Sequence, residues 1–409
     1  MENFVTYVQC DPDEDREPRK PIKSFEETYR WTTVMMVFGM FYPDPATDRK
    51  RLWAISIVTV AFIPLLLISF YDTAWYWMEG DIGNMIRVLI ITGPFAGSFF
   101  KMGLCYMKRR EAKHVLDEIN RDYTICNNLP PRYSDLITES IAEAKTFEFR
   151  WSILLLIPSF IFITRAAYLT AYNYIVNGVQ QRYMFNDLPN PFRPPEERFN
   201  SPYFEFIVAY TGLSGIMYIL QFMGYEGLMA ISMSHACVKM RLFCAALEDV
   251  CRTEDPKMRM RLVTGSIREQ IRTFSYIDAV RQTFEIWMSL ISAASIMEMC
   301  ICMYYVTQGF GFDARYVSYS LAIVLYMFTL CHYAGKIKNM AADVPTLIYS
   351  CGWEKIYDKS VRNIIVFMIA RWQFPVNMTI FNVMDFDMEL FVFIVKTAYS
   401  FFTLLINNK

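Results

Sequence analysis

The sequence predicts an all-α membrane protein: seven transmembrane helices, a cytoplasmic amino terminus, an extracellular carboxy terminus and long cytoplasmic helical extensions. Three observations carry this. First, 54% of the 409 residues are hydrophobic, and they gather into seven runs near the roughly 20 residues a spanning helix needs. Second, a soluble chain of this length divides into domains with loops rich in Gly and Pro rather than into such runs. Third, basic residues sort to one side. The tail 1–52 and segments 108–150, 230–283 and 336–387 hold 31 Lys and Arg, against 5 in 72–84, 173–202, 309–315 and 407–409. The positive-inside rule puts the first set in the cytoplasm. Net charge is −1, which leaves no field to attract nucleic acid.

The tail, MENFVTYVQCDPDEDREPRK, has mixed charge and no apolar core of signal-peptide length, so the first span is expected to act as the insertion signal. Asp11, Asp13 and Asp15 begin a calcium-loop pattern, but Arg16 and Ile22 stand where Gly and Glu are needed, so it reads as solvated tail. Trp31 to Tyr42 is too short to cross and is ended by Pro43 and Pro45, which predicts a re-entrant or interfacial helix. The spans follow: Trp53 to Tyr71, Met85 to Met107, Trp151 to Tyr172, Tyr203 to Met229, Phe284 to Gln308, Tyr316 to Gly335 and Met388 to Ile406. This divides the chain into a tail (1–52), a six-helix bundle (53–335), cytoplasmic anchor helices (336–387) and a last helix (388–409).

The cytoplasmic segments carry helical periodicity. Val263, Ile267, Ile271, Phe274 and Ile277 form one face, and 344–369 has similar character, so these helices are expected to extend the spans inward and pack on each other. A calmodulin-type target at 257–272 is the less economical reading. The outer loop 173–202 carries Pro189, Pro191, Pro194, Pro195 and Pro202 and is expected to be stiff and lid-like. No cysteine falls in an outer loop, and the sequon Asn377-Met378-Thr379 lies on the inner side, so neither an extracellular disulfide nor glycosylation is expected.

Chemistry is sparse. His114, His235 and His332 show no metal-ligand spacing, and no phosphate-binding glycine loop or nucleophile elbow is present, so no enzymatic activity, metal or cofactor is expected. The charges within spans, Arg87, Lys101, Arg165, Glu298 and Lys396, are the better functional candidates, with mid-span Glu298 foremost. Aromatic residues crowd the outer halves of the spans. They fit either an interfacial belt or an apolar cleft for a small lipophilic ligand.

In the last run, Lys396, Ser400, Thr403 and Asn407 recur at spacings of four, three and four, which is one helical stripe. Periodicity admits two readings: a pore wall, or a snorkelling lysine with hydroxyls bonded back to their own helix. The second is the commoner.

Residues 391–405, FVFIVKTAYSFFTLL, with IYSCGW at 348–353 and RNIIVFMIARWQFPV at 362–376, resemble the carboxy-terminal signature of the insect odorant receptor family. Gustatory receptors end in Thr-Tyr…Gln-Phe, where this chain has Ala398-Tyr399…Leu405-Ile406. Segment 230–283 lacks the insertion of the co-receptor, so the resemblance is to a ligand-tuned subunit. It implies a heterotetrameric, odorant-gated, non-selective cation channel assembled with the co-receptor in the plasma membrane of a sensory-neuron dendrite. It also implies a small volatile ligand and contact with membrane lipid. The implied pore face is Thr397, Ser400, Phe401, Leu404, Asn407 and Asn408, with the gate at Leu404; at Asn408 the co-receptor pattern has an apolar residue. The implied ligand pocket, on spans two, three, four and six, covers Val88, Leu89, Thr92, Phe162, Arg165, Leu169, Tyr210, Leu213, Tyr316, Tyr319 and Ile323.

Two other classes have seven or more spans. A G-protein-coupled receptor would place the basic segments outside, against the charge rule. A transporter would favour repeated halves and interrupted helices, which are not seen.

Overall fold

The computed structural model describes residues 21–178, 182–184, 199–307, 313–381 and 383–407. Each of the seven apolar runs is a helix, and most outlast the run that predicted them: α3 (Asp48–Glu79), α4 (Ile82–Met107), α6 (Pro131–Val176), α7 (Tyr203–Arg252), α8 (Pro256–Thr307), α9 (Ala314–Tyr349) and α11 (Met388–Asn407). Ahead of them stand a single turn, α1 (Phe25–Thr28), and α2 (Arg30–Phe38), while α5 (Arg109–Cys126) is amphipathic and too polar to span and α10 (Lys359–Trp372) is amphipathic and too short. Local chemistry sets the ends. Asp81 accepts from the Asn84 amide ahead of α4, Asp313 from Arg315 ahead of α9, and Asp358 from Ser360 ahead of α10, each filling an acceptor role at a helix start. Gly80, in the left-handed region at φ 74°, closes α3.

The axis of the fold is α7. Every residue from 221 to 236 is buried, as befits a helix covered on all sides. α2 lies against it at backbone contact: a Cβ on Gly224 would stand 2.8 Å from the Met36 amide nitrogen, and one on Gly227 2.9 Å from Thr32 Oγ1. Thr32 in turn bonds Glu148 of α6. The short amphipathic run therefore docks between α6 and α7, and it ends at Gly39, four residues before Pro43.

The extensions of α7 and α8 beyond their apolar runs pack with α5; of the predicted face Val263 and Ile277 are buried, Ile267 and Phe274 half-buried, and Ile271 is 64% exposed. A polar cluster joins them: Asp122 Oδ2 accepts from Lys239 Nζ at 2.8 Å and faces His235 Nε2 at 3.0 Å. Burial works against the Asp122 carboxylate, but Lys239 and His235 hold its pKa below the ordinary range. The stretch 344–369, amphipathic in sequence, is helical at both ends and broken between. α9 stops at Tyr349, Gly352 turns left-handed at φ 87°, a 3₁₀ turn covers Trp353–Lys355, and α10 restarts the chain. A two-residue hairpin, β1 (Thr379–Ile380) on β2 (Met384–Asp385), then leads into α11. Of the outer loop, its prolines 189, 191, 194 and 195 lie outside the described residues, as do the aspartates of the tail and Asn408.

Candidate functional site

Two cavities flank α4, whose Pro94 lines the second of them. The outer one, about 390 Å³, is walled by α3, α4, α6, α7 and α9, with Tyr183, Met184 and Phe199 of the outer loop over it. Tyr183 is held there by its amide, which donates to Thr170 Oγ1 at 3.0 Å. The second, about 420 Å³, lies between α4, α6, α7, α8 and α9 and is the more apolar. Both volumes suit a drug-sized or smaller organic molecule.

Guanidiniums mark the outer cavity. Arg315 meets Asp313 Oδ2 at 2.8 Å and Arg165 meets the same oxygen at 3.1 Å. Burial opposes ionisation of Asp313, yet the two arginines keep its carboxyl below the usual carboxylate range. Arg87 donates to Asn84 Oδ1 at 3.0 Å and reaches the Tyr316 hydroxyl at 3.4 Å. Tyr316 is fully buried and packs against Tyr305 at 4.5 Å and edge-on to Phe162 at 6.1 Å.

In the second cavity, Glu298 Oε2 accepts from the Tyr319 hydroxyl at 3.0 Å. Behind its wall of Phe222, Trp287 and Tyr326 lies a buried ion pair. Lys101 Nζ stands 2.9 Å from Glu226 Oε1, which also accepts from Trp287 Nε1 at 2.9 Å and the Tyr326 hydroxyl at 3.0 Å. The ammonium sits 3.4 Å from the Phe222 ring centroid and 4.2 Å from that of Trp287. A lysine so placed escapes the cost of hydrocarbon through its partner and the ring faces.

The residues implied by the carboxy-terminal resemblance distribute unevenly. Val88, Thr92, Arg165, Leu169 and Tyr316 line the outer cavity. Tyr319 and Ile323 line the second. Phe162 touches the outer cavity through Tyr316, and Leu89 is part-buried and lines neither. Tyr210 bonds the Ala61 carbonyl and stacks on Phe62, so it serves the α3–α7 contact. Leu213 points outward, 58% exposed. Sequence reasoning missed Glu226. The signal was present, because a lysine within a span calls for an acid within reach, and the fourth run holds Glu226 in addition to Glu205 at its start.

α11 is covered on one face only. Leu390, Ile394 and Ala398 pack inward against α8 and α9, while Lys396, Ser400, Phe401, Leu404 and Asn407 are exposed. Within this single chain the hydroxyls of Thr397, Ser400 and Thr403 donate to carbonyls of α11 itself. Among the described residues Lys396 forms no ion pair. The helix start is pinned by Asp387, whose Oδ1 accepts from the Glu389 and Leu390 amides and whose Oδ2 meets Lys338 of α9 at 2.6 Å.

Comparison with known proteins gives a consistent answer. The family model for the 7tm odorant receptor matches residues 81–399. Odorant receptor 46a, isoform A, of Drosophila melanogaster is 23% identical over 231 residues, 52% of this chain and 58% of that one. Odorant receptor 13a of the same fly is 20% identical over 225 residues, 50% of this chain and 54% of that one. The chain thus spans little more than half the length of these curated relatives. Among solved structures, the insect olfactory receptor OR5 from Machilis hrabei in complex with eugenol superposes with a TM-score of 0.74, covering 94% of this chain and 99% of that chain at 14% identity. At that identity the likeness establishes the fold.

Proposed function

The chain is a member of the odorant receptor family, a multi-pass membrane protein of a receptor rather than an enzyme family, and from that premise we propose that it is a ligand-tuned subunit of an odorant-gated, non-selective cation channel. It assembles with the co-receptor as a heterotetramer in the plasma membrane of a sensory-neuron dendrite. The amino terminus is cytoplasmic, the bundle 53–335 holds the ligand, segment 336–387 anchors the subunits and 388–409 borders the pore. The pore face comprises Thr397, Ser400, Phe401, Leu404, Asn407 and Asn408.

The observation that carries this reading is convergence. Val88, Thr92, Arg165, Leu169 and Tyr316, drawn from three helices, meet on one cavity of about 390 Å³. A small volatile molecule there gains roughly 25 cal/mol for each Å² of apolar surface it buries, with the tyrosine and arginine tips orienting any polar group.

α9 is the natural link to the pore. It meets the ligand at Tyr316 and meets α11 through Phe328 on Phe391, with ring centroids 5.6 Å apart, and through Lys338 on Asp387. A ligand that fits better when α9 has shifted thereby favours outward movement of α11. It can shift the balance only by its differential affinity for the two states.

The test is whole-cell current from cells expressing this chain with and without co-receptor, across an odorant panel. Currents that need both chains and an odorant, and that shift in ligand preference with Thr92→Trp, are expected. Odorant responses carried solely by a G protein, or concentrative uptake without current, refute the reading.

A further inference from the structure

We propose that the cavity between α6 and α9 at their membrane-boundary ends binds the headgroup of an anionic phospholipid from the cytoplasmic leaflet. This cavity, of about 620 Å³, is separate from the two that flank α4. The assignment of leaflet rests on the topology proposed above; the chemistry of the site does not.

The cavity has two ends of opposite character. At one, Leu154, Leu325 and Phe328 form an apolar wall, and the last two are 42% exposed although they lie within spanning runs. At the other stand Arg150, Lys336, His332 and Glu143. The change falls where it should for a lipid. Arg150 directly precedes Trp151, where the third apolar run begins, and Lys336 directly follows Gly335, where the sixth run ends. The half-buried ring of Tyr333 lines the same level, as amphipathic rings do at a membrane boundary, and packs edge-on to Phe147 with centroids 4.9 Å apart.

The charges leave room for an anion. Lys336 is paired with Glu143, and His332 stacks on Phe328 with centroids 6.0 Å apart. Arg150 is exposed and, among the described residues, has neither an acidic partner nor a side-chain hydrogen bond. An exposed guanidinium at the headgroup level presents the planar fork that matches phosphate bidentately. Anionic lipids are concentrated in the cytoplasmic leaflet, and basic pockets between spans on that side attract them. A free phosphate would use the polar end alone and leave the apolar wall without a role. A phospholipid uses both.

The test is native mass spectrometry of the full chain in detergent, with dioleoyl phosphatidylserine or dioleoyl phosphatidylcholine added at equal concentration. The expected result is retention of phosphatidylserine over phosphatidylcholine by roughly fivefold per unpaired basic residue engaged. Arg150→Gln should remove that preference, and Glu143→Gln, which frees Lys336, should increase it. Lys257→Gln, on the exposed start of α8, should leave it unchanged. If Arg150→Gln does not yield monodisperse protein, Glu143→Gln decides the matter. Equal retention of the two lipids overturns the proposal. So does an unchanged ratio in the decisive variant, or displacement of the bound lipid by inorganic phosphate at the same concentration. No current is read, so failure of the odorant-gated reading would show separately.

Discussion

The Lys101–Glu226 pair gives the sharpest test of how the bundle is held. Both side chains are buried, with 0% and 1% of their surface exposed, and their charged atoms stand 2.9 Å apart. At an effective dielectric of about 20, the attraction at that distance is about 6 kcal/mol. Against it stands a desolvation penalty of several kcal/mol for each ion. The intact pair is therefore close to neutral, whereas a lone survivor is not. Lys101→Met leaves Glu226 charged with only Trp287 and the Tyr326 hydroxyl as donors. Glu226→Gln leaves an ammonium facing rings, a contact worth about 2 kcal/mol when desolvated. Each single change is expected to cost about 3–5 kcal/mol. The double variant Lys101→Met/Glu226→Gln removes both charges yet keeps an amide oxygen for Trp287 and Tyr326. It should cost well under the sum, with a coupling energy of about 3 kcal/mol. The assay is unfolding of the solubilised full chain in a denaturing-detergent titration followed by tryptophan fluorescence. Additive losses in the double variant would refute the reasoning.

Four further outcomes follow from the same geometry. Gly224→Ala places a Cβ against the α2 backbone and should destabilise by about 1–3 kcal/mol, read in the same titration. Asp387→Ala removes the cap of α11 and its tie to Lys338; a loss of about 1 kcal/mol for the cap and an altered odorant-free current are expected in patch recordings. Asp122 has a lowered folded pKa, so its contribution is present above the unfolded carboxylate value of about 3.9 and is lost as pH falls through the lower folded value. Asp122→Asn should flatten that acid limb in a stability-against-pH series. Thr92→Trp fills the outer cavity and should raise the half-maximal concentration of bulky odorants at least tenfold in current recordings, with co-receptor-only currents unchanged.

The spans were legible because a 20-residue apolar run has few alternatives, and each became a helix. Rotation about the helix axis was not. Tyr210 and Leu213 lie on a helix that is apolar on nearly every side, so spacing gave no clue that one would serve the α3–α7 contact and the other face outward. The pairing of Lys101 with Glu226 joins residues 125 apart in sequence, and periodicity within one run cannot reach across that distance. The break at Gly352 was hidden because apolar residues continue on both sides of it, Val344 and Ile348 before the turn and Val361, Ile365 and Met368 after it. By contrast, the polar stripe of α11 was visible directly, since one uncovered face of a helix repeats its chemistry every three or four residues. The structure then showed which side packs inward: Leu390, Ile394 and Ala398, opposite Lys396.

The position of α4 as a shared partition has a bearing on how such a chain could diversify. A methyl added at Gly93 would come 2.8 Å from Glu298 Oε1 and push that carboxylate aside, whereas one at Gly97 would rest 3.6 Å from the Trp287 ring in ordinary contact. A glycine-to-alanine exchange needs a single nucleotide. Position 97 thus offers descent a small, inexpensive step in the size of the inner chamber, while position 93 ties any such step to the placement of an acid.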